Sequence, residues 1–179
     1  MKIFVAGPRA IRSLDNSIKD KLQSIYEKDH IVLVGDADGI DKAVQAFFLS
    51  IGYPKVIVYA SNGLARHNLG KWPVEAIQVA EHTKGFAYYA AKDEAMASDA
   101  DFGFMIWNGE SKGTLNNVIN LLRNEKKALV YFSSLHSFMT VDSMEKLDAL
   151  LCSCDDKTRA MYEKLRGNQA PVKRQIALF

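Results

Sequence analysis

Ile31-Val-Leu-Val-Gly35-Asp-Ala-Asp38-Gly39-Ile-Asp41 decides the fold of this chain, because a short apolar run leads into a glycine-bearing turn and then a helix start. The same order recurs in Lys2-Ile-Phe-Val-Ala-Gly7-Pro8-Arg9 and in Phe102-Gly-Phe-Met-Ile-Trp107-Asn-Gly109-Glu-Ser111-Lys-Gly113-Thr114. In an open parallel sheet such turns gather at the carboxyl edge of the strands, where ligands bind. Helix starts at that edge present free N–H groups that suit phosphate.

Apolar runs alternate with helical patterns along the chain. Strands are predicted at 2–6, 31–34, 56–59, 102–107 and 128–132, and helices at about 13–27, 39–51, 87–98 and 114–124. A short helix is also predicted near 74–82, in an irregular stretch that covers the site as a loop. This alternation predicts an α/β fold, Rossmann-like and doubly wound, with a mainly parallel sheet of five or more strands and helices on both faces.

The domain organisation follows from where this pattern ends. Residues 1–167 are expected to form a single domain, with a helical C-terminal addition over 143–167, and residues 168–179 to form an extended tail. The chain has 179 residues, 48% of them hydrophobic, which suffices for a core.

Composition limits the classes of function. The formal net charge is only +2, so we expect no bulk nucleic-acid binding. The first residues form no signal peptide and no apolar run reaches membrane-spanning length, so a cytoplasmic protein without a membrane partner is predicted. Cys152 and Cys154 lack a second ligand pair, and no metal site is predicted.

The first two turns carry the most specific candidates. Gly7 lets a phosphate or ribose approach the backbone, and Arg9 offers a bidentate phosphate contact. In the second turn, Asp38 and Asp41 resemble a capping box, which explains both carboxylates without a ligand. The alternative is that these carboxylates accept hydrogen bonds from ribose hydroxyls while the glycines permit close approach.

Further candidates follow the second half of the sheet. Ser111 and Thr114, at the start of a helix, form either a phosphate cradle or a simple cap. Lys92 and Asp93 either position a substrate or form a solvated ion pair. Trp107 either stacks on a base or packs inside. The predicted ligand-binding residues are Gly7, Pro8, Arg9, Gly35, Asp36, Asp38, Gly39, Asp41, Lys92, Asp93, Met96, Trp107, Ser111, Gly113, Thr114 and Asn117.

Taken together, these segments resemble the SLOG superfamily of Rossmann-like proteins, named for the DNA-processing protein A (Smf) and Lonely Guy groups. The family pattern has Gly-x-Arg after the first strand, Gly-Gly-Ala-x-Gly-x-Asp after the second, an Arg/Lys-Asp/Asn-x-x-Met helix and a Gly-Thr turn. Those motifs match Gly7-Pro8-Arg9, Gly35 to Asp41, Lys92 to Met96 and Gly113-Thr114. The resemblance covers about 1–132 and implies a nucleotide or ADP-ribose-like ligand; the sequence identifies no cofactor.

The chain departs from the family pattern at two positions. Asp36 stands where the family has a second glycine, and Asn117 stands where the hydrolases and transferases of the family carry a catalytic glutamate. An amide cannot act as a carboxylate nucleophile. The resemblance therefore favours a nucleotide-binding or NAD-metabolite-binding protein over its alternative, a nucleotide-processing hydrolase in which Asp93 replaces the missing acid.

The terminal Gln175-Ile-Ala-Leu178-Phe179 resembles the peptide by which bacterial proteins dock on the replicative sliding clamp. Gln175, Leu178 and Phe179 would bind that partner, which makes a DNA-metabolism accessory protein a second alternative. Alternatively, this tail folds back and packs against the core of its own chain. The partners predicted from the sequence are thus a small-molecule nucleotide, a second copy of the chain in a homodimer, and the clamp.

Overall fold

The computed structural model describes residues 1–167, in which seven strands form one sheet of order β4-β3-β2-β1-β5-β6-β7. All neighbouring strands are parallel except β6 and β7. The strands are β1 (Lys2–Ala6), β2 (Ile31–Val34), β3 (Val56–Ser61), β4 (Val74–Ile77), β5 (Phe102–Trp107), β6 (Lys127–Phe132) and β7 (Ser137–Val141).

Six helices connect and flank these strands. They are α1 (Asn16–Glu27), α2 (Ile40–Ser50), α3 (Gly85–Asp99), α4 (Lys112–Arg123), α5 (Met144–Leu151) and α6 (Asp156–Gly167). The inward face of α1 carries Ile18, Leu22 and Ile25 at the three-to-four-residue spacing of an amphipathic helix. Its N-cap is Asp15, whose carboxylate accepts a hydrogen bond from the backbone N–H of Ile18 at 2.9 Å.

The core has two layers, one on each face of the sheet. One cluster packs apolar residues of α1 and α2 against the strands, and the other packs those of α3, α4, α5 and α6. This arrangement confirms the predicted doubly wound α/β class with helices on both faces. Within residues 1–167, none of the helices is long and apolar enough to cross a membrane.

Two parts of the sheet differ from the sequence prediction. The helix predicted near 74–82 is wrong, because Val74–Ile77 pairs parallel to β3 with Val58 opposite Val74. The antiparallel strand Ser137–Val141 was not predicted at all. Both strands lie at sheet edges and are mostly exposed, so they carry no apolar run that marks a buried strand.

The strand register brings the glycine-bearing turns together. β1 lies at the centre of the sheet, and its Val5 pairs with Val34 of β2 on one side and with Phe104 of β5 on the other. The three strands therefore end at the same edge. The strand order reverses at β1, because β2 to β4 lie on one side of it and β5 to β7 on the other. A crevice at such a topological switch point is where open α/β sheets bind ligands.

Candidate functional site

A cleft of about 490 Å³ opens at this edge of the sheet. Its volume lies within the usual range for small-molecule binding sites, about 300–1,000 Å³. The first turn, α3 and the start of α4 line it. The predicted residues that the cleft brings together are Gly7, Pro8, Arg9, Asp41, Lys92, Asp93, Met96, Ser111, Gly113, Thr114 and Asn117.

The N-terminus of α4 forms one wall. Ser111 caps the helix, because its Oγ accepts hydrogen bonds from the backbone N–H of Thr114 at 3.3 Å and from the Thr114 hydroxyl at 3.0 Å. The N–H groups of the first two helical positions, Lys112 and Gly113, have no partner within the helix. A Cβ placed on Gly113 would meet no atom within 4 Å, so its backbone faces open space. This wall can accept an anion.

Opposite α4, the start of α3 presents aromatic rings to cations. The guanidinium carbons of Arg9 and Arg66 each lie 4.9 Å from the centroid of the Tyr89 ring. The ammonium of Lys112 lies 4.1 Å from the centroid of Phe86. Tyr89 is 37% exposed, which leaves part of its ring accessible to a ligand.

The floor of the cleft holds a buried cluster of charges. The Lys92 ammonium donates to Asp93 at 2.7 Å and lies 3.9 Å from Asp36. Burial opposes the charge of Lys92, but the carboxylates of Asp93, Asp41 and Asp36 outweigh that effect and raise the pKa of Lys92. Burial also raises the pKa of Asp41, to about 6, although Lys92 counteracts it. The floor is thus a compensated cluster rather than a free cation.

Asp36 contacts the loop between β3 and β4 rather than the cleft. It accepts hydrogen bonds from Arg66 Nη2 at 2.7 Å, from Arg66 Nε at 3.1 Å and from the Arg66 backbone N–H at 3.1 Å. Burial would raise the pKa of Asp36, but these hydrogen bonds and Lys92 lower it. Asp36 therefore fixes the position of Arg66.

The second turn lines the cleft only through Ala37 and Asp41, and its two glycines pack against the rest of the site. A Cβ on Gly35 would lie 2.4 Å from the Asp41 carboxylate, and one on Gly39 would lie 2.4 Å from the Arg9 backbone. Gly39 is the N-cap of α2, with φ of 79° and no side-chain cap, so the predicted capping by Asp38 is wrong. Asp38 is instead exposed and contacts His67 at 2.9 Å.

Trp107 is also away from the cleft. It is buried, it stacks on Phe132, and its indole N–H donates to the carbonyl of Ser111. Trp107 thus packs inside the protein, which was one of the two alternatives for it from the sequence. Its indole ring supports the turn that leads into α4. The predicted residues that the structure places outside the cleft lining are Gly35, Asp36, Asp38, Gly39 and Trp107. Gln175, Leu178 and Phe179 lie outside the described residues.

Several residues of the cleft were not predicted from the sequence. Arg66 belongs to a loop, and Phe86 and Tyr89 belong to the first two turns of α3, without a motif of their own. The only local signal is the aromatic cluster at 86–89, directly after a glycine. In the described part of the chain, no group of three or more His, Cys, Asp or Glu side chains could hold a metal ion.

Asn117 lies deeper in the cleft, one turn after Thr114 on the same face of α4. Only 3% of the residue is exposed, and its Oδ1 has no hydrogen-bond partner among the described residues. Nearly all buried polar atoms in folded proteins are paired, so this unpaired acceptor is an exception. Because the oxygen itself is buried, it is not a contact for a ligand in the cleft.

No family model and no curated protein matches this sequence. The structure is similar to a solved structure of DNA processing protein A from Helicobacter pylori, described for its single-stranded DNA binding mode. The TM-score is 0.58 at 13% sequence identity, and the match covers 95% of this chain and 82% of that chain. The similarity shows a Rossmann-type fold like that of DNA processing protein A.

This similarity corrects the partners predicted from the sequence. A small-molecule nucleotide as partner, with no bulk nucleic-acid binding, was predicted from a net charge of +2. That prediction is wrong, because the protein that shares this fold binds single-stranded DNA. Net charge averages over the whole surface, so it does not report the local density of cations around a cleft.

Proposed function

We propose that this protein binds single-stranded DNA in the cleft at the carboxyl edge of its sheet. The observation that carries the proposal is the exposed Tyr89 ring, flanked by the guanidinium groups of Arg9 and Arg66 at 4.9 Å each. Aromatic rings that stack on bases, next to cations that contact the backbone, are the common means of binding single strands. The shared fold with a single-stranded DNA-binding protein supports the same function.

Two features of the cleft lining can contact phosphates. Arg9 is exposed and lines the cleft, and the first turn of α4 presents backbone N–H groups there. Lys92 contributes little free charge, because Asp93 and Asp36 already surround its ammonium. Arg9, Arg66 and the N-terminus of α4 therefore supply the attraction for the phosphates.

The base contacts are made by the aromatic side chains at the start of α3. Tyr89 and Phe86 are 37% and 39% exposed, and each already attracts a cation through its ring face. An unpaired base can stack on Tyr89 in place of the Arg9 guanidinium, which then turns to a phosphate, whereas the bases of a duplex are already stacked on each other. The cleft therefore favours single strands over double strands.

Fluorescence anisotropy with a labelled 15-residue thymidine oligonucleotide tests the proposal. We expect dissociation constants of about 1–100 μM at physiological salt, and weaker binding as salt rises. Replacing Arg9 by Ala should weaken binding about 5–10-fold and make the dependence of log K on log salt less steep by about 0.7, the value for one lost phosphate contact on a single strand.

Arg12 provides a matched control for this experiment. It is an exposed arginine three residues after Arg9, but it does not line the cleft. The Arg12→Ala variant should bind like the wild type, since it removes the same charge from outside the site. If the wild type does not bind the oligonucleotide at 50 mM salt, or if both variants weaken binding equally, the cleft is not a single-stranded DNA site.

A further inference from the structure

Asp93 presents a partly exposed carboxylate to the cleft. The side chain lines the cleft, and 17% of its surface is exposed. Its Oδ1 accepts a hydrogen bond from the Lys92 ammonium at 2.7 Å. Its Oδ2 is not among the buried polar atoms that lack a partner within residues 1–167. The carboxylate is therefore held in place on one side and open to a ligand on the other.

Asp93 shares one face of α3 with the aromatic rings of the cleft. Phe86, Tyr89, Ala90 and Asp93 all line the cleft, at the three- and four-residue spacing of neighbours on a helix surface. Tyr89 and Asp93 are one turn apart, so their Cβ atoms are separated by about 5–6 Å. A base that stacks on Tyr89 thus has its edge within reach of the Asp93 carboxylate.

The charges on the floor of the cleft argue against a phosphate as the group that contacts Asp93. Asp36 is held by Arg66. The ammonium of Lys92 faces Asp41 and Asp93 as well, so it carries no surplus positive charge for a ligand. A carboxylate and a phosphate both offer only acceptors, and their charges repel each other. Asp93 instead needs a donor, and within a DNA strand the bases carry the N–H donors because the sugar hydroxyls are esterified.

Guanine is the base whose edge fits a carboxylate. Its Watson–Crick edge presents the ring N–H and the exocyclic amine side by side, as two adjacent donors. Thymine, cytosine and adenine each place an acceptor next to the one donor group of that edge, and a carboxylate repels this acceptor. Each carboxylate oxygen accepts two hydrogen bonds, so Oδ1 of Asp93 can keep its bond from Lys92 while the carboxylate binds guanine.

We infer that Asp93 selects guanine: the base that stacks on Tyr89 donates its ring N–H and its exocyclic amine to the Asp93 carboxylate. The inference rests on the proposed function and deepens it. Stacking on Tyr89 alone tolerates any base, because every base has a π-face. Contacts to the phosphates carry no sequence information either. The carboxylate of Asp93 therefore gives the cleft a base preference at one position of the bound strand.

Strands that carry a single base measure this preference directly. The probes are labelled strands of reduced abasic residues with one central guanine, hypoxanthine or thymine. Hypoxanthine has the ring of guanine without the exocyclic amine, so it removes one donor and keeps the stacking face. We expect the wild type to bind the guanine strand about tenfold more tightly than the hypoxanthine strand, as for one hydrogen bond to a charged group. The thymine strand should bind more weakly than either.

Asp93→Asn should lose this preference, because an amide nitrogen replaces one of the two acceptor oxygens. We expect the variant to bind the guanine and hypoxanthine strands within about twofold of each other. Its affinity for the thymine strand should hold or rise, since a negative charge has left the cleft. A damaged fold would weaken the binding of every strand, so this pattern distinguishes a lost contact from a lost fold.

Glu94→Gln is the matched control. Glu94 is the next residue of α3, it is exposed, and it does not line the cleft. This variant removes the same charge from outside the site, and it should keep the preference for guanine.

Two outcomes overturn the inference. One is that the wild type binds the guanine and hypoxanthine strands equally tightly, a comparison that requires no variant to fold. The other is that Asp93→Asn binds DNA and keeps the preference for guanine. In both cases the thymidine oligonucleotide still binds to the wild type, whereas failure of the proposed function abolishes binding of every strand.

Discussion

Asp36 holds the guanidinium of Arg66 through two side-chain hydrogen bonds, with Nη2 donating to Oδ1 at 2.7 Å and Nε donating to Oδ2 at 3.1 Å. The two residues are 30 positions apart in sequence, and the pair joins the second turn to the loop that follows β3. At the position where the SLOG pattern has a glycine, this chain thus has a side chain that places a cation beside Tyr89.

Replacing Asp36 by Asn should weaken single-stranded DNA binding through Arg66. An amide accepts weaker hydrogen bonds than a carboxylate, so the guanidinium loses its fixed position. We expect affinity to fall about as far as in Arg66→Gln, with little further loss in the double variant, because both act on one contact. Anisotropy with the thymidine oligonucleotide measures all three variants.

The same variant should lower the free energy of unfolding by about 1–2 kcal/mol, less than for a fully buried pair, since 36% of the Arg66 side chain is exposed. Asp38→Asn is the control: it removes an exposed carboxylate from the same turn and should change affinity and stability little. Additive losses in Asp36→Asn and Arg66→Gln would contradict the proposed role of Asp36.

Gly113→Ala separates binding from stability. A Cβ at this position would meet no atom within 4 Å, so the fold has room for it. Alanine in place of glycine in a helix stabilises by up to about 1 kcal/mol. The new methyl group would nevertheless stand where a phosphate approaches the backbone. We therefore expect a higher melting temperature together with several-fold weaker DNA binding.

Gly167→Ala is a matched control for this substitution, because a Cβ there also meets nothing within 4 Å and the residue lies at the end of α6, away from the cleft. It should not change the affinity for DNA. If Gly113→Ala binds as tightly as the wild type, no phosphate contacts the first turn of α4.

Tyr89 should contribute through its ring rather than its hydroxyl. Tyr89→Phe keeps a face on which a base can stack, and we expect its affinity to stay within about twofold of the wild type. Tyr89→Leu removes the π-face and should cost about 1–3 kcal/mol of binding free energy. Equal affinities of the Phe and Leu variants, measured by anisotropy, would show that no base stacks there.

The sequence predicts the centre of this fold better than its edges. The buried strands Lys2–Ala6 and Ile31–Val34 are continuous apolar runs that end in glycine-bearing turns, and such runs identify parallel strands. Val74–Ile77 and Ser137–Val141 are mostly exposed edge strands that form because a neighbouring strand offers hydrogen bonds. Because these two strands depend on a neighbouring strand, the residues within each segment do not predict them.

The residues of the candidate site also fall into those that the sequence predicts and those that it does not. The turns after β1 and β5 could be located because each follows a recognisable strand, and their residues line one cleft. Arg66 and Tyr89 could not, because their positions depend on contacts with Asp36 and with each other across long stretches of chain. The net charge of +2 did not predict the local charge of the cleft for a related reason: neighbouring acids compensate Lys92, whereas Arg9 and Arg66 both line the cleft.

The buried carboxyl of Asp41 predicts a measurable pH dependence. Burial raises the pKa of Asp41 from 3.8 to about 6, against the partial compensation by Lys92. Between those two values the native state binds a proton that the unfolded chain has lost. The contribution of Asp41 to stability therefore declines as pH rises from about 4 to 6, and it stays low above that.

Asp41→Asn removes this titration while keeping an acceptor for the Ala37 N–H. Between pH 4 and pH 7 the wild type loses the stabilising contribution of Asp41, whereas the variant has none to lose. The stability of the variant relative to the wild type, measured as the difference in free energy of unfolding, should therefore rise by about 2–3 kcal/mol over this range. Asp36, whose pKa is lowered, loses its stabilising effect as pH falls, but it is present in both proteins and cancels in the difference. Urea titrations at pH 4, 5, 6 and 7 measure the difference. A value that stays constant across this range would mean that Asp41 is ionised throughout in the folded protein.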